Sequence, residues 1–390
     1  MRLNRREFCA AAGLAVAAKS ARSAERVDVA AVDRERILRA ANAYLKEKPV
    51  TVTAAHSPRS AGGLHDFYSE GDYWWPDPKN PGGPYIRRDG ETNPENFTAH
   101  REAMVRLSLQ VPALAAAWKI TRDAGMRKKY ADKVGEHLYA WFGDEKTMMN
   151  PNLEYAQAIS GVNKGRGIGI IDTVHLVEVA RAADLMESAL GKINNFAVQE
   201  WFAEYLQWMT TSKNGAEERD AKNNHGSCWV MQVAEFSSYT RNTKWMDWCR
   251  NRFRTVLVPD QIAPDGKLPL ELARTKPYSY ALFDMDILST ICQILSKPGD
   301  SLWAFSTPDG RGMKNAIEYM YPFILDKKKW PLKPDVEYFE DLPVRQPSLL
   351  FGGLAYDRPE WIALWKKLDA DPKVGEIVRN FPIRQPVLWV

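Results

Sequence analysis

Asn223-Asn224-His225-Gly226 stands about fifty residues ahead of Glu271-Leu272-Ala273-Arg274, with Tyr278 and Tyr280 close behind. These residues supply amides, an imidazole, a guanidinium and phenols. Such a set can withdraw a proton from a carbon beside a carboxylate and give one to a departing oxygen, which is β-elimination on a uronic-acid polymer. Taking the C5 proton of a uronate is difficult because the neighbouring carboxylate is already negative and resists the enolate-like charge that must develop. Donors aimed at developing charge in a water-poor site are often the largest catalytic contribution. A guanidinium meets a carboxylate through a planar two-pronged fork. Asn224 and Arg274 fit that neutralising role, with Asn223 as a substitute for Asn224.

For proton transfer, His225 can act as a direct base, since imidazole is the side chain whose chemistry is best suited to taking a proton near neutral pH. A tyrosine ordinarily ionises near pH 10, at about that value. Beside an arginine and an imidazole, Tyr280 could serve as base, or stay neutral as acid. Stereochemistry divides the work. In mannuronate and glucuronate the C5 proton and the O4 leaving group are syn, so one tyrosine can serve both steps; in guluronate they are anti, and His225 becomes the base. Taken singly, each residue has a plainer role: a histidine after Asn-Asn can be a capped residue at a helix start, Tyr278 or Tyr280 can be core, and Arg274 a salt-bridge partner. Their combination makes a site.

Stepping outward, apolar residues at three and four spacing predict helices over 33–47, 97–123, 126–142, 172–190, 194–211, 226–239, 242–257, 279–296, 311–327 and 359–369. Thr98 and Asp172-Thr173 supply cap-type side chains. Strand-like alternation is scarce, with faint hints at Ile86 and Tyr338-Phe339. Helices joined by medium loops predict an all-α fold, an (α/α) toroid or incomplete barrel of antiparallel hairpins around a cleft.

Two segments read as irregular. Residues 57–96 carry His65, Tyr73, Trp74 and Trp75, and an irregular stretch of that length is usually a lid or binding loop. Its aromatics can stack on the C–H faces of sugars or simply anchor the loop. Residues 149–173 place Tyr155, Gln157 and Arg166 ahead of a helix, as a subsite or as a well-bonded turn. The glycines of Gly165-Arg166-Gly167-Ile168-Gly169 lack the preceding strand and the spacing of a phosphate loop.

Arg5-Arg6-Glu7-Phe8, followed by an apolar run from Cys9 to Ala18, predicts a twin-arginine type export signal over 1–24 and one domain over 25–390, with a periplasmic or secreted destination. Residues 1–24 hold five basic groups and one acidic group, so the remaining chain has 53 − 5 = 48 basic and 49 − 1 = 48 acidic residues. That balance speaks against a nucleic-acid or membrane surface, and a polyanion would need a locally basic cleft. Three cysteines remain, at 228, 249 and 292, too few and too scattered for a disulfide framework. The six histidines lack metal-ligand spacing, so neither metal nor cofactor is expected, and a monomer is.

Together, Asn-Asn-His-Gly at 223–226, Glu-Leu-Ala-Arg with Tyr280 six residues after Arg274, Tyr-Trp-Trp-Pro-Asp-Pro at 73–78, and Asn-Leu-x-Tyr-Ala-Gln, Gly-Arg-Gly and Ile-Ile-Asp-Thr within 152–173 resemble the alginate lyase superfamily of (α/α)-toroid polysaccharide lyases. The resemblance spans roughly 40–360 and is nearer polysaccharide lyase family 38 than family 5. It implies Asn224 and Arg274 as neutralisers, His225 as base or its partner, and Tyr280 as acid and possible base. Asn223, Tyr278, Glu271, His65, Tyr73, Trp74, Trp75, Tyr155, Gln157 and Arg166 are expected around the substrate, and Tyr278 competes with Tyr280. Alginate and glucuronan are both substrates within the family. Two other classes stand beside it. A helical-barrel glycoside hydrolase would need two carboxylates about 5 to 10 Å apart, from Asp66, Asp172, Glu271 and Asp284. A non-catalytic polysaccharide-binding protein would be indifferent to Tyr280→Phe.

Overall fold

A computed structural model describes residues 27–390, so the export signal expected over 1–24 lies outside the described residues. Fifteen α-helices are present among them. They are α1 (Val29–Tyr44), α2 (Ala99–Ile120), α3 (Ala124–Phe142), α4 (Leu176–Leu185), α5 (Lys192–Thr211), α6 (Lys213–Arg219), α7 (Asn224–Tyr239), α8 (Thr243–Arg252), α9 (Val258–Gln261), α10 (Pro269–Leu272), α11 (Pro277–Leu295), α12 (Met313–Leu325), α13 (Pro347–Ala355), α14 (Pro359–Lys367) and α15 (Gly375–Arg379).

Helix composition sorts them into two layers. In α7, 14 of 16 residues are buried, and in α11, 16 of 19, whereas α1 buries only four of 16. A helix apolar on all sides must be surrounded by protein, and one with a single stripe lies outside. The inner helices α2, α4, α7, α11 and α13 pack in that order, and α3, α5, α8, α12 and α14 back them from outside. The turn Pro386–Leu388 returns to α1, α2 and α4. The result is the all-α toroid, with a contiguous apolar core that includes the fully buried Trp141, Trp229, Trp361 and Trp365.

Several elements differ from the periodicity. α10 and α13, which the periodicity does not predict, open with proline at the first turn, where its missing N–H costs nothing, as does α14, expected over 359–369; α13 is too uniformly apolar to show a helical period. The helix expected over 242–257 ends at Arg252, continues as a π-turn through Leu257 and restarts as α9. Thr98 stands at the N-cap of α2 but its hydroxyl donates to Glu102 instead of capping. Asp172 and Thr173 close a 3₁₀ turn, and α4 begins only at Leu176. Tyr338 adopts φ 61° before a 3₁₀ turn, so no strand forms there.

Short strands join the two irregular segments. β1 (Tyr68–Glu70) pairs in parallel with β4 (Tyr155–Ala158), and β2 (Trp74–Trp75) forms a hairpin with β3 (Ile86–Arg87). A buried charge network fixes them to the helices: Arg101 of α2 donates to Asp72 (2.7 Å) and Asp172 (3.2 Å), and Arg379 of α15 donates to the other Asp72 oxygen (2.7 Å). Burial alone would raise the Asp72 carboxyl, but Arg101 and Arg379 overcome it and hold the pKa well below the usual range.

The C-terminal segment is clipped by Glu178 of α4, a buried carboxylate that accepts from the backbone N–H groups of Arg384 (3.0 Å) and Gln385 (2.8 Å) and from Trp389 Nε1 (3.0 Å). Removing the acceptor leaves three buried donors without a partner. Glu178→Ala is therefore expected to lower unfolding stability by about 3 kcal/mol or more. Chemical denaturation checks this, and a loss below about 1 kcal/mol would show that the clip contributes little.

Candidate active site

The start of α7 explains the Asn-Asn-His-Gly motif. A Cβ at Gly226 would lie 2.2 Å from the Ala221 carbonyl oxygen, so only glycine lets the first turn close against the preceding loop. Asn223 occupies the N-cap position without making a side-chain cap. The cap comes from α10 instead: Glu271 accepts from the Asn224 backbone N–H (2.8 Å) and from Asn224 Nδ2 (2.7 Å). Burial raises the Glu271 carboxyl, and the two bonds from Asn224 pull it back. This clasp carries Arg274, three residues along, and Tyr280, at the start of α11, to the same place as His225.

There they line one cavity of about 400 Å³. Arg274 Nη2 donates to the Tyr280 hydroxyl at 3.0 Å and to Asp89 at 3.1 Å, while its guanidinium lies over the Tyr280 ring at 4.1 Å. The Tyr280 hydroxyl is also 2.8 Å from that of Tyr73. Burial lifts the Tyr280 phenol above its ordinary value despite the opposing pull of Arg274, so the resting hydroxyl is protonated. The His225 ring bonds through Nδ1 to Glu218 Oε1 at 2.7 Å.

The lining is cationic. Arg87, Arg166, Arg274, Lys276 and Arg379 face it against two carboxylates, Asp72 and Glu376. Arg166 has no carboxylate partner among the described residues; it donates to the Gln157 carbonyl (2.9 Å) and side-chain oxygen (3.3 Å). Burial, reinforced by Arg87, pushes Arg166 down to about 10, so it remains a cation at neutral pH. Gln157 is held with φ 54°, a conformation uncommon outside glycine, and its amide points toward Asp72 and Asp172.

Of the expected residues, Asn223, Asn224, His225, Arg274, Tyr280, Tyr73, Trp74, Gln157 and Arg166 line this cavity. The others sit elsewhere for identifiable reasons. Tyr278 is wholly buried in the core, its hydroxyl donating to the Phe323 carbonyl at 3.1 Å. Glu271 lies behind Asn224. His65 Nδ1 bonds the Met148 carbonyl (2.7 Å), Trp75 Nε1 donates to the Glu91 carbonyl (3.0 Å) with Arg88 over its ring, and Tyr155 packs against Gly62. Sequence reasoning missed Arg87, Lys276, Arg379, Asp89 and Glu218. Lys276 alone gave a local signal, by standing between Arg274 and Tyr280.

The carboxylates proposed for a hydrolase do not meet on the cavity: Glu271 is near enough to push the Asp284 carboxyl up, but both are buried behind the site. Asp66 accepts from Gly63 N–H and Asn150, Asp172 is paired with Arg101, Glu271 holds Asn224, and both Asp284 oxygens are buried without a partner. None of the four lines the cavity. The three cysteines are free and buried. No cluster of three or more His, Cys, Asp or Glu residues suited to a metal ion occurs among the described residues. No described helix is long and apolar enough to cross a membrane.

A helical toroid that gathers an amide, imidazole, guanidinium and phenol around a cationic cavity has the make-up of a polysaccharide lyase. The alginate lyase family model matches residues 51–330. An alginate lyase from Bacteroides ovatus is similar at 33% identity over 98% of both chains, with a TM-score of 0.80. Alginate lyase A1-III, solved as a histidine-to-alanine variant complexed with tetrasaccharide, is similar in fold over 94% of both chains, at 13% identity and a TM-score of 0.54. No curated protein sequence matches the chain. The chain belongs to the alginate lyase family.

The two tyrosines at the start of α11 separate cleanly. Tyr278→Phe removes one buried hydrogen bond and should cost about 1 kcal/mol of stability with activity per folded molecule unchanged. A loss of turnover in stable Tyr278→Phe protein, measured beside its denaturation midpoint, would return Tyr278 to the site.

Proposed function

We propose that this enzyme cleaves alginate or a related polyuronate by β-elimination, leaving a 4,5-unsaturated uronate at the new end. The observation that carries the proposal is the meeting of Arg274, Tyr280 and His225 on one cation-lined cavity, with Arg274 Nη2 3.0 Å from the Tyr280 hydroxyl. Arg166 adds support, because a half-buried arginine without an acidic partner is stabilised by an anionic ligand.

In this mechanism the substrate carboxylate is neutralised by Arg274 and by the amides at the start of α7. Asn224 has one amide hydrogen left after its bond to Glu271, and Asn223 has an amide uncommitted to helix capping. Tyr280 begins protonated and gives its proton to O4. For guluronate, His225 takes the C5 proton from the opposite face. For mannuronate or glucuronate, Tyr280 would act on both atoms, which first requires its proton to leave to solvent; the Tyr73 hydroxyl at 2.8 Å can relay it by accepting that proton while passing its own onward. Within the family we place the chain nearer polysaccharide lyase family 38 than family 5, on the joint resemblance of its motifs at 73–78, 152–173, 223–226 and 271–280. We further propose a monomer, with residues 25–390 as one domain, exported by the twin-arginine route to the periplasm or beyond.

An ultraviolet assay for the conjugated double bond, run on polymannuronate, polyguluronate and glucuronan, tests the reaction and its substrate together. Absorbance should rise on at least one polymer and fall by about a hundredfold or more in Tyr280→Phe. Chain cleavage without absorbance would mean hydrolysis. His225→Ala should lose guluronate activity more severely than mannuronate or glucuronate activity, whereas equal losses would assign His225 a shared electrostatic role.

The pH dependence follows from the raised Tyr280 phenol. On polyguluronate Tyr280 acts only as acid; a group that must be protonated to act is lost as pH rises through its folded pKa, so an alkaline limb due to Tyr280 on that polymer belongs above pH about 10. An alkaline limb close to neutrality that disappears in the residual activity of Tyr280→Phe would contradict a protonated resting tyrosine.

A further inference from the structure

Glu218 is the last but one residue of α6 and belongs to the charged run Glu217-Glu218-Arg219-Asp220. In the fold it is wholly buried. Oε1 meets His225 Nδ1 at 2.7 Å, and Oε2 has no hydrogen-bond partner among the described residues. Carboxylates are disfavoured at helix C-termini, where the backbone dipole is negative, and a buried one with a single partner is costly. Structural economy alone would not keep an acid there.

The surroundings hold Glu218 in place. A Cβ at Gly215 would come within 1.9 Å of the Met209 carbonyl oxygen, and one at Gly167 within 2.7 Å of both the Asn214 carbonyl oxygen and Glu217 Cβ. Both glycines let α6 lie directly on neighbouring backbone, so the Gly-Arg-Gly segment serves to seat this helix. The Ser212 hydroxyl caps its start by accepting from Gly215 N–H at 2.9 Å. The charged and titratable groups facing Glu218 are His225, Asp172, Arg166, Cys228 and Tyr205, whose hydroxyl bonds that of Thr173, and Glu271 also acts on His225. Asp172 is paired with Arg101, and Arg166 donates to Gln157, which leaves His225 as the hydrogen-bonded partner of Glu218.

We propose that Glu218 is a positioning residue acting through His225. It accepts the Nδ1 proton, fixes the tautomer that leaves Nε2 free toward the cavity, and stabilises the imidazolium formed during elimination. In that step the C5–H proton passes to Nε2, the C–H electron pair becomes the C4=C5 bond, the C4–O4 bond breaks, and O4 receives the Tyr280 proton. The proposal rests on the lyase assignment with His225 as base.

The test is a double-mutant cycle on polyguluronate with Glu218→Gln, His225→Ala and the double variant, read by double-bond absorbance. Glutamine keeps the size and an acceptor oxygen but lacks the charge. Glu218→Gln should lower kcat by about tenfold or more with KM little changed, Glu218→Asp should restore part of the loss, and the double variant should be no slower than His225→Ala alone. Wild-type kcat in Glu218→Gln, or a full additional loss in the double variant, would overturn the proposal. Ring ¹⁵N chemical shifts of the neutral His225 imidazole in the wild-type protein give a check that needs no variant: protonated Nδ1 with bare Nε2 is expected, and the opposite tautomer would refute it. A wild-type enzyme forming no double bond on any polyuronate would instead fail the lyase assignment, while the NMR result would still decide the role of Glu218.

Discussion

The site depends on one carboxylate that never enters it. Glu271 closes the N-terminus of α7 from outside the helix, taking both the backbone N–H and the side-chain amide of Asn224. An anion is favoured at that end of a helix, and here it relieves Asn223 of capping. The same contact ties two stretches far apart in sequence. Since Arg274 and Tyr280 follow Glu271 closely, fixing Glu271 against Asn224 fixes the guanidinium and phenol beside the imidazole. Burial of Glu271 raises its carboxyl, and the Asn224 bonds offset that cost.

Local charge, more than net charge, prepares the cavity. Outside residues 1–24 the chain is balanced, yet five cations face the cavity against two carboxylates. Most of those cations have acidic partners in the protein: Arg87 and Arg274 share Asp89, Lys276 meets Glu337, and Arg379 meets Asp72. Arg166 has none among the described residues, and an entering carboxylate would supply one. The Asp72–Arg101–Asp172 network below holds the two irregular segments to the inner helices, which gives the donors fixed positions before substrate arrives.

Much of this was legible in the sequence where periodicity is strong. The long helices carry apolar stripes or all-round apolar surfaces, and Asn224, His225, Arg274 and Tyr280 stand in motifs whose residue types already suggest elimination. What escaped depends on contacts between distant segments. Glu218 looks like a solvated charge until α6 is seated against Gly167. Tyr73 reads as a stacking aromatic, yet its hydroxyl meets Tyr280. Tyr278 differs from Tyr280 by about half a helical turn, and that rotation sends one phenol into the core and the other into the cavity. Arg379 joins the site from near the chain end because Glu178 clips the segment that follows it.

The central claim is that Arg274 stabilises charge on the substrate carboxylate as the C5 proton leaves, and does more than hold the polymer. Steady-state kinetics of Arg274→Ala and Arg274→Lys on the best polyuronate test it directly. The account predicts that kcat falls by about 10² to 10³ in Arg274→Ala, with kcat/KM falling alongside and lysine recovering only part of the loss. A rise in KM at unchanged kcat would contradict it, because the arginine would then bind substrate and transition state equally well.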